Sequence, residues 1–170
     1  MTDHPGGAGL APLNVYSRSD EAVGRLMSNF AHTPFMLDGA EYASVEGFYV
    51  ALKFLDPAKR AKMARLHGAV VKRMGKKSKN ERTWYGGEWF AFGSEAHIEL
   101  IKRAIRAKLD AHPDVARAFV ATLPRPIVHD TGHPEPADSE FPAAVFCRIL
   151  TELREERRDM SRQQAPLNAS

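Results

Sequence analysis

Glu46 and Lys53 stand seven residues apart in the run Ser28 to Phe54, SNFAHTPFMLDGAEYASVEGFYVALKF, which carries few other charges. Seven residues make two helical turns, so one helix through both puts a carboxylate and an ammonium on the same face. Such a carboxylate can take a proton from an attacking water or stabilise positive charge that develops on a sugar carbon. The lysine can bind phosphate or orient the acid. Asn29, beside Ser28, both donates and accepts, which suits a ribose hydroxyl or a base edge. Together these types describe a small-ligand site. A plainer reading stays open: a first-turn glutamate complementing the helix dipole, and a lysine lying along the surface. The dipole favours a charged Glu46 and burial opposes it, and the sequence does not say which wins.

Further residues could complete or compete with that site. Arg18 and Asp20 follow Val15-Tyr16-Ser17, and an arginine there is a phosphate ligand or a solvated turn residue. Lys72 to Arg82, KRMGKKSKNER, is strongly basic: a solvated loop, or a neutraliser of nucleotide or nucleic-acid phosphates. Next to it, WYGGEWFAF holds Trp84, Tyr85, Trp89, Phe90 and Phe92. Aromatics on a glycine-bearing segment suit stacking on a base, although Phe90 and Phe92 read better as anchors to the core. His129, Asp130 and His133 lie between Pro126 and Pro134, where paired zinc histidines at helical spacing do not form, so no metal is expected. Asp138 is either a second acid at the site or the cap of the last helix. Cys147 reads as a small core residue. Gly6-Gly7-Ala8-Gly9 precedes no helix and is not a phosphate loop.

The elements that must hold these residues are mostly helices. Asp38-Gly39 between two short apolar runs signals a two-residue hairpin. Ser44 caps a helix expected to reach about Leu55, with Glu46 at its second position. Asp56-Pro57 starts the next helix. Ser94 caps a long one to about Ala111, with Ile98, Ile101, Ile105 and Leu109 on one stripe. Pro113 opens a short helix to about Thr122, and Pro142 opens the last, to about Glu156. The expected fold is mainly α, with a small N-terminal β-hairpin element. Residues 1–12 and 159–170 are polar and lack periodicity, so they read as disordered ends around one domain spanning 13–158.

A chain of 170 residues with a net charge of +3 suits one domain with a core of its own. It shows no run of about 20 apolar residues and no leader-like start. One cysteine excludes an internal disulfide and fits a reducing, cytoplasmic setting.

The central block also resembles a known family. Ser28-Asn29-Phe30, Pro34-Phe35, Asp38-Gly39, Tyr42, Ser44-Val45-Glu46 and Lys53-Phe54 follow the order found in the NADAR, or YbiA-like, family. Val15-Tyr16-Ser17 resembles its opening strand. Ala104 to Leu109, His112-Pro113 and Leu150 to Arg154 also fit, so the resemblance runs from about Asn14 to Glu155. It implies a YbiA-like multihelical fold and N-glycosidic hydrolysis of a phosphoribosylated or ADP-ribosylated base. It also implies Glu46 as the catalytic glutamate and no cofactor. Where the common version reads E-H-Y-F-Q-A-Q-K-F, this chain has Gly47, Val50 and Leu52. The late run W-G-x-G-x-G-x-N-x-L-G is absent, and Asp138-Ser139-Glu140-Phe141-Pro142 stands instead. A divergent branch is therefore expected, with ADP-ribosyl-guanine, free or in nucleic acid, ahead of riboflavin-pathway intermediates. Candidate catalytic residues are Glu46, Lys53 and Asp138. Candidate substrate-binding residues are Arg18, Asn29, Trp84, Tyr85, Trp89, His129 and Ser139. The alternatives are a non-catalytic binder of ADP-ribose or a related nucleotide, and a nucleic-acid-binding module.

Overall fold

The computed structural model describes residues 9–76 and 78–164. The chain is mainly helical. In order, it runs β1 (Leu13–Asn14), α1 (Ala22–Met27), β2 (Phe35–Leu37), β3 (Ala40–Tyr42), α2 (Val45–Leu52), α3 (Pro57–Ala64), α4 (Ala69–Gly75), β4 (Arg82–Tyr85), β5 (Glu88–Ala91), α5 (Glu95–Ala111), α6 (Pro113–Val120), β6 (Ile127–Val128) and α7 (Ala143–Gln164).

The expected hairpin is β2–β3, closed by Asp38 and Gly39 at φ 49° and 82°, the left-handed geometry of a tight primed turn. Ser44, Asp56 and Ser94 cap α2, α3 and α5, each side chain accepting an amide hydrogen from the first turn. Each such cap is worth about 1 kcal/mol. The core gathers Phe48 and Leu52 of α2, Met63 of α3, Ile101, Ile105 and Leu109 of α5, Phe119 of α6 and Ile149 and Leu150 of α7.

Several expectations are corrected. The opening strand is Leu13–Asn14 rather than Val15 to Ser17. It pairs in parallel with β6, inside the stretch read as a proline-bounded loop, and the Val15 amide extends the pairing to the Val128 carbonyl at 2.9 Å. The aromatic segment is a second hairpin, β4–β5, with Trp84 opposite Trp89 and a Gly86-Gly87 turn. The basic run is split, its first residues forming the end of α4. α2 stops at Leu52, short of Leu55.

The last helix passes its expected end at Glu156 and continues to Gln164, through the first half of the expected C-terminal tail. Its polar end has good helix formers and is tied to α5 by Lys102–Glu152, Arg106–Glu156 and Arg157–Asp110 at 2.7, 3.2 and 2.5 Å. Apolar periodicity alone misses such a helix end. In the expected N-terminal tail, residues 9–12 have no regular structure. The rest of both tails, with Gly6-Gly7-Ala8, lies outside the described residues. Among the described residues, no helix is long and apolar enough to cross a membrane.

Candidate functional site

Ser44, the cap of α2, works in both directions. Its hydroxyl accepts from the Gly47 amide at 2.8 Å and donates to the Leu66 carbonyl at 2.9 Å, fastening the start of α2 to the end of α3. Gly47 is required by this approach. A β-carbon there would lie 2.6 Å from the Leu66 carbonyl oxygen and 3.0 Å from that of Met63. Gly47 thus faces α3, while Val50 packs at Gly75 of α4 and Leu52 is buried in the core. The three departures from the common family wording are accommodated by packing within the helical layer.

Glu46 follows at the second helical position. Its amide donates to the Asn29 carbonyl at 2.9 Å, which sets the Ser28-Asn29 turn beside the start of α2. The residue is only 9% exposed, and among the described residues its carboxylate has no hydrogen-bond partner. Burial pushes the carboxyl up to about 7, against the downward pull of Lys72 and Lys53. Burial therefore outweighs the pull of the two lysines, and the group exchanges its proton near neutral pH.

Lys53 ends α2 two turns above Glu46, as the spacing requires. Its ammonium donates to Glu140 Oε2 at 3.0 Å, and the Tyr49 hydroxyl donates to the same oxygen at 3.0 Å. The ammonium also lies 5.1 Å from the centre of the Tyr49 ring and 5.6 Å from that of Phe92. Burial, and after it the charge and hydrogen bond of Glu140, holds the Tyr49 hydroxyl far above its usual value, so it keeps its proton. His97 of α5 packs against both Tyr49 and Phe92. Burial lowers the imidazole to about 4. Its Nδ1 accepts from the Gly93 amide at 3.2 Å, so the neutral ring carries its hydrogen on Nε2, which is buried without a partner.

Beneath the turn, Lys108 of α5 is fully buried and donates to the Ser28 carbonyl at 3.1 Å. Burial lowers its ammonium to about 7. Asn29 Oδ1 is buried without a partner in the same turn.

The fold therefore brings together Glu46, Lys53 and Asn29 from the sequence candidates. It adds Tyr49, Lys72, His97, Lys108 and Glu140. The acid that reaches Lys53 is Glu140, not Asp138, which is exposed. Nor does Asp138 cap α7: the Ala143 amide donates to Glu135 Oε1 at 2.6 Å. Ser139 lies in the turn before Glu140, its amide bonded to the Pro136 carbonyl. Arg18 is exposed on the loop after β1. His129 makes a 2.7 Å hydrogen bond to the Val15 carbonyl and packs edge-on against Phe146, which meets Tyr49 through Phe141.

The β4–β5 hairpin divides its aromatics. Tyr85 points inward, edge-on to Phe48, and donates to Asp38 at 2.7 Å, tying the second hairpin to the first. Trp84 and Trp89 point outward, 45% and 47% exposed, with the Arg82 guanidinium 4.6 Å from the Trp89 ring. A groove of about 410 Å³ opens beside them, lined by Leu55, Lys79, Asn80, Glu81, Arg82 and Trp89. It adjoins the end of α2, because the Asn80 side chain donates to the Lys53 carbonyl at 3.0 Å. Among the described residues, no group of three or more His, Cys, Asp and Glu side chains gathers to hold a metal.

This architecture has known counterparts. The chain is 31% identical over 121 residues to the protein named N-glycosidase YbiA of Escherichia coli K12, across 70% of this chain and 69% of that one. The Shigella boydii protein of the same name matches equally. The chain belongs to the YbiA-like family. The solution structure of E. coli YbiA superposes with a TM-score of 0.67 at 25% identity, over 90% of this chain and 88% of that one. Residues 22–155 also match the family model described as bacteriophage protein GP30.3. The matched span includes every site residue above except Arg18. Tyr49 was within reach of sequence reasoning, standing one turn from both Glu46 and Lys53. Glu140, in an irregular proline-rich stretch, gives no periodic signal.

Proposed function

We propose that this YbiA-like chain is an N-glycosidase that hydrolyses the bond between a base and an ADP-ribosyl or phosphoribosyl group, ADP-ribosyl-guanine being preferred over riboflavin-pathway intermediates. The observation that carries the reading is Glu46: a buried carboxyl without a hydrogen-bond partner among the described residues, pushed up to about 7 by burial and under the influence of two lysines. In its ionised form Glu46 takes a proton from water as the water oxygen bonds to the anomeric carbon. The C–N bond breaks, its electrons leave with the base, and the base is protonated. Until it takes that proton, the ionised carboxylate also faces the positive charge that grows on the ribose, and the proton it has taken then passes to the departing base. Lys53 and Lys72 suit the phosphates of such a substrate. The Trp84–Trp89 pair, with Lys79 and Arg82, suits a ligand larger than a single phosphoribosyl compound, including a base still held in a strand.

The test is a comparison of kcat/KM on ADP-ribosylated guanine, free and within an oligonucleotide, against the early riboflavin intermediates, with products read by mass. The expected result is release of free guanine and faster turnover of the ADP-ribosylated class. Faster cleavage of the riboflavin intermediates overturns the preference. Ligand binding without turnover on any of them favours the binder.

A further inference from the structure

The segment that stands where the family's glycine-rich run is missing delivers the Glu140 carboxylate to the site, with the Phe141 ring beside that of Tyr49. Its Oε2 holds two donors from α2 at once, the Lys53 ammonium and the Tyr49 hydroxyl, each at 3.0 Å. We propose that Glu140 is a positioning residue for the chemistry at Glu46: by drawing Lys53 and Tyr49 onto one oxygen, it fixes how strongly the Lys53 charge acts on Glu46.

Lys53 carries its charge on a flexible four-carbon stem and has two carboxylates within its range of influence. Both act on Tyr49, which lies on the face between Glu46 and Lys53. The ammonium pairs with Glu140, and the rings of Tyr49 and Phe92 flank it there. Among the described residues, Glu46 is left without a direct partner. The other groups around it do not replace this control. Lys72, from α4, pulls on Glu46 more than Lys53 does, but its ammonium lies over the Phe30 ring and among the described residues is not paired with Glu140. His97, from α5, is neutral near pH 7 through burial. Lys108, also from α5, is committed to the Ser28 carbonyl. Tyr49 keeps its proton. Lys53 is thus the cation whose action on Glu46 depends on Glu140. Released, it turns toward the remaining carboxylate and favours its charged form.

The inference rests on Glu46 as the acting carboxylate, but its test does not require turnover. The Glu46 carboxyl is titrated by NMR in the full chain labelled at glutamate side-chain carbons, with Glu46→Gln assigning the signal. Glu140→Ala should lower its midpoint by about one pH unit, a tenfold change in proton affinity. Lys53→Met should raise it, and in the Lys53→Met background Glu140→Ala should have little further effect. Glu140→Gln keeps an acceptor of the same size and should shift the midpoint in the same direction by less, which covers misfolding of the alanine variant. The acid limb of the kcat/KM profile should move with the titration. An unchanged midpoint in both Glu140 variants overturns the proposal. So does an equal fall with and without Lys53, which marks the mere loss of a nearby anion. If Glu46→Gln turns over like the parent, the functional reading fails while the titration coupling is still measured. If Glu46→Gln is inactive and the coupling is absent, only the role of Glu140 fails.

Discussion

Glu46 has a stability cost that its proposed role explains. The fold raises its carboxyl from 4.5 to about 7, so the folded chain binds more protons than the unfolded chain between those values, and stability falls as pH rises through that window. The full effect above it is on the order of 3 kcal/mol. Glu46→Gln keeps the volume without the charge, so its stability advantage over the parent should grow between about pH 4.5 and 7 and then level off. Urea unfolding of both proteins at pH 4.5, 6 and 8 checks this, and a difference that does not change with pH contradicts it. Lys108 works in the opposite direction. Burial lowers it from 10.5 to about 7, so its penalty is present below pH 7 and is relieved as pH rises toward 10.5. The advantage of Lys108→Met, offset by the unpaired Ser28 carbonyl, should therefore shrink over that range. Parallel unfolding curves at pH 7 and 10 measure it.

At the scale of elements, the two hairpins carry separable tasks. Trp84 and Trp89 are exposed, so Trp84→Ala and Trp89→Ala should each change the melting temperature little, while the residue that stacks on a base weakens ligand binding by roughly 1–3 kcal/mol. Calorimetric titration with ADP-ribose alongside thermal melts tests both halves. Unchanged affinity in both variants removes the stacking role. Tyr85→Phe, which breaks the tie to Asp38, should instead lower stability by about 1 kcal/mol without touching affinity. These elements also mark how far the sequence could be read. The capped helices and the Asp38-Gly39 turn were legible because caps and tight turns are local chemistry. The Glu46–Lys53 relation was legible because a helix fixes it. The β1–β6 pair joins residues more than a hundred positions apart and is two residues long, so no local pattern announces it. The second hairpin was hidden because its strands present tryptophans outward instead of alternating apolar and polar residues. His97 and Lys108 lie on the buried face of α5 among apolar residues, and that misplacement was the available signal. Glu140 reaches the site through tertiary folding alone.

At the scale of the molecule, one helical layer built on α2 holds the two proposed site residues at the ends of a short helix: Glu46 at the start, Lys53 at the close. The Ser28-Asn29 turn, α4, α5 and the segment before α7 close around it. The proposed step needs only a carboxylate and water, so turnover should survive exhaustive chelation. Activity lost in EDTA and restored by zinc or magnesium contradicts that. The central claim, that Glu46 performs hydrolysis of an N-glycosidic bond, is tested most directly by incubating the parent and Glu46→Gln with ADP-ribosylated guanine and following free guanine by mass. The account predicts guanine release by the parent and none above background by a folded Glu46→Gln, and release at the parent's rate by Glu46→Gln would contradict it.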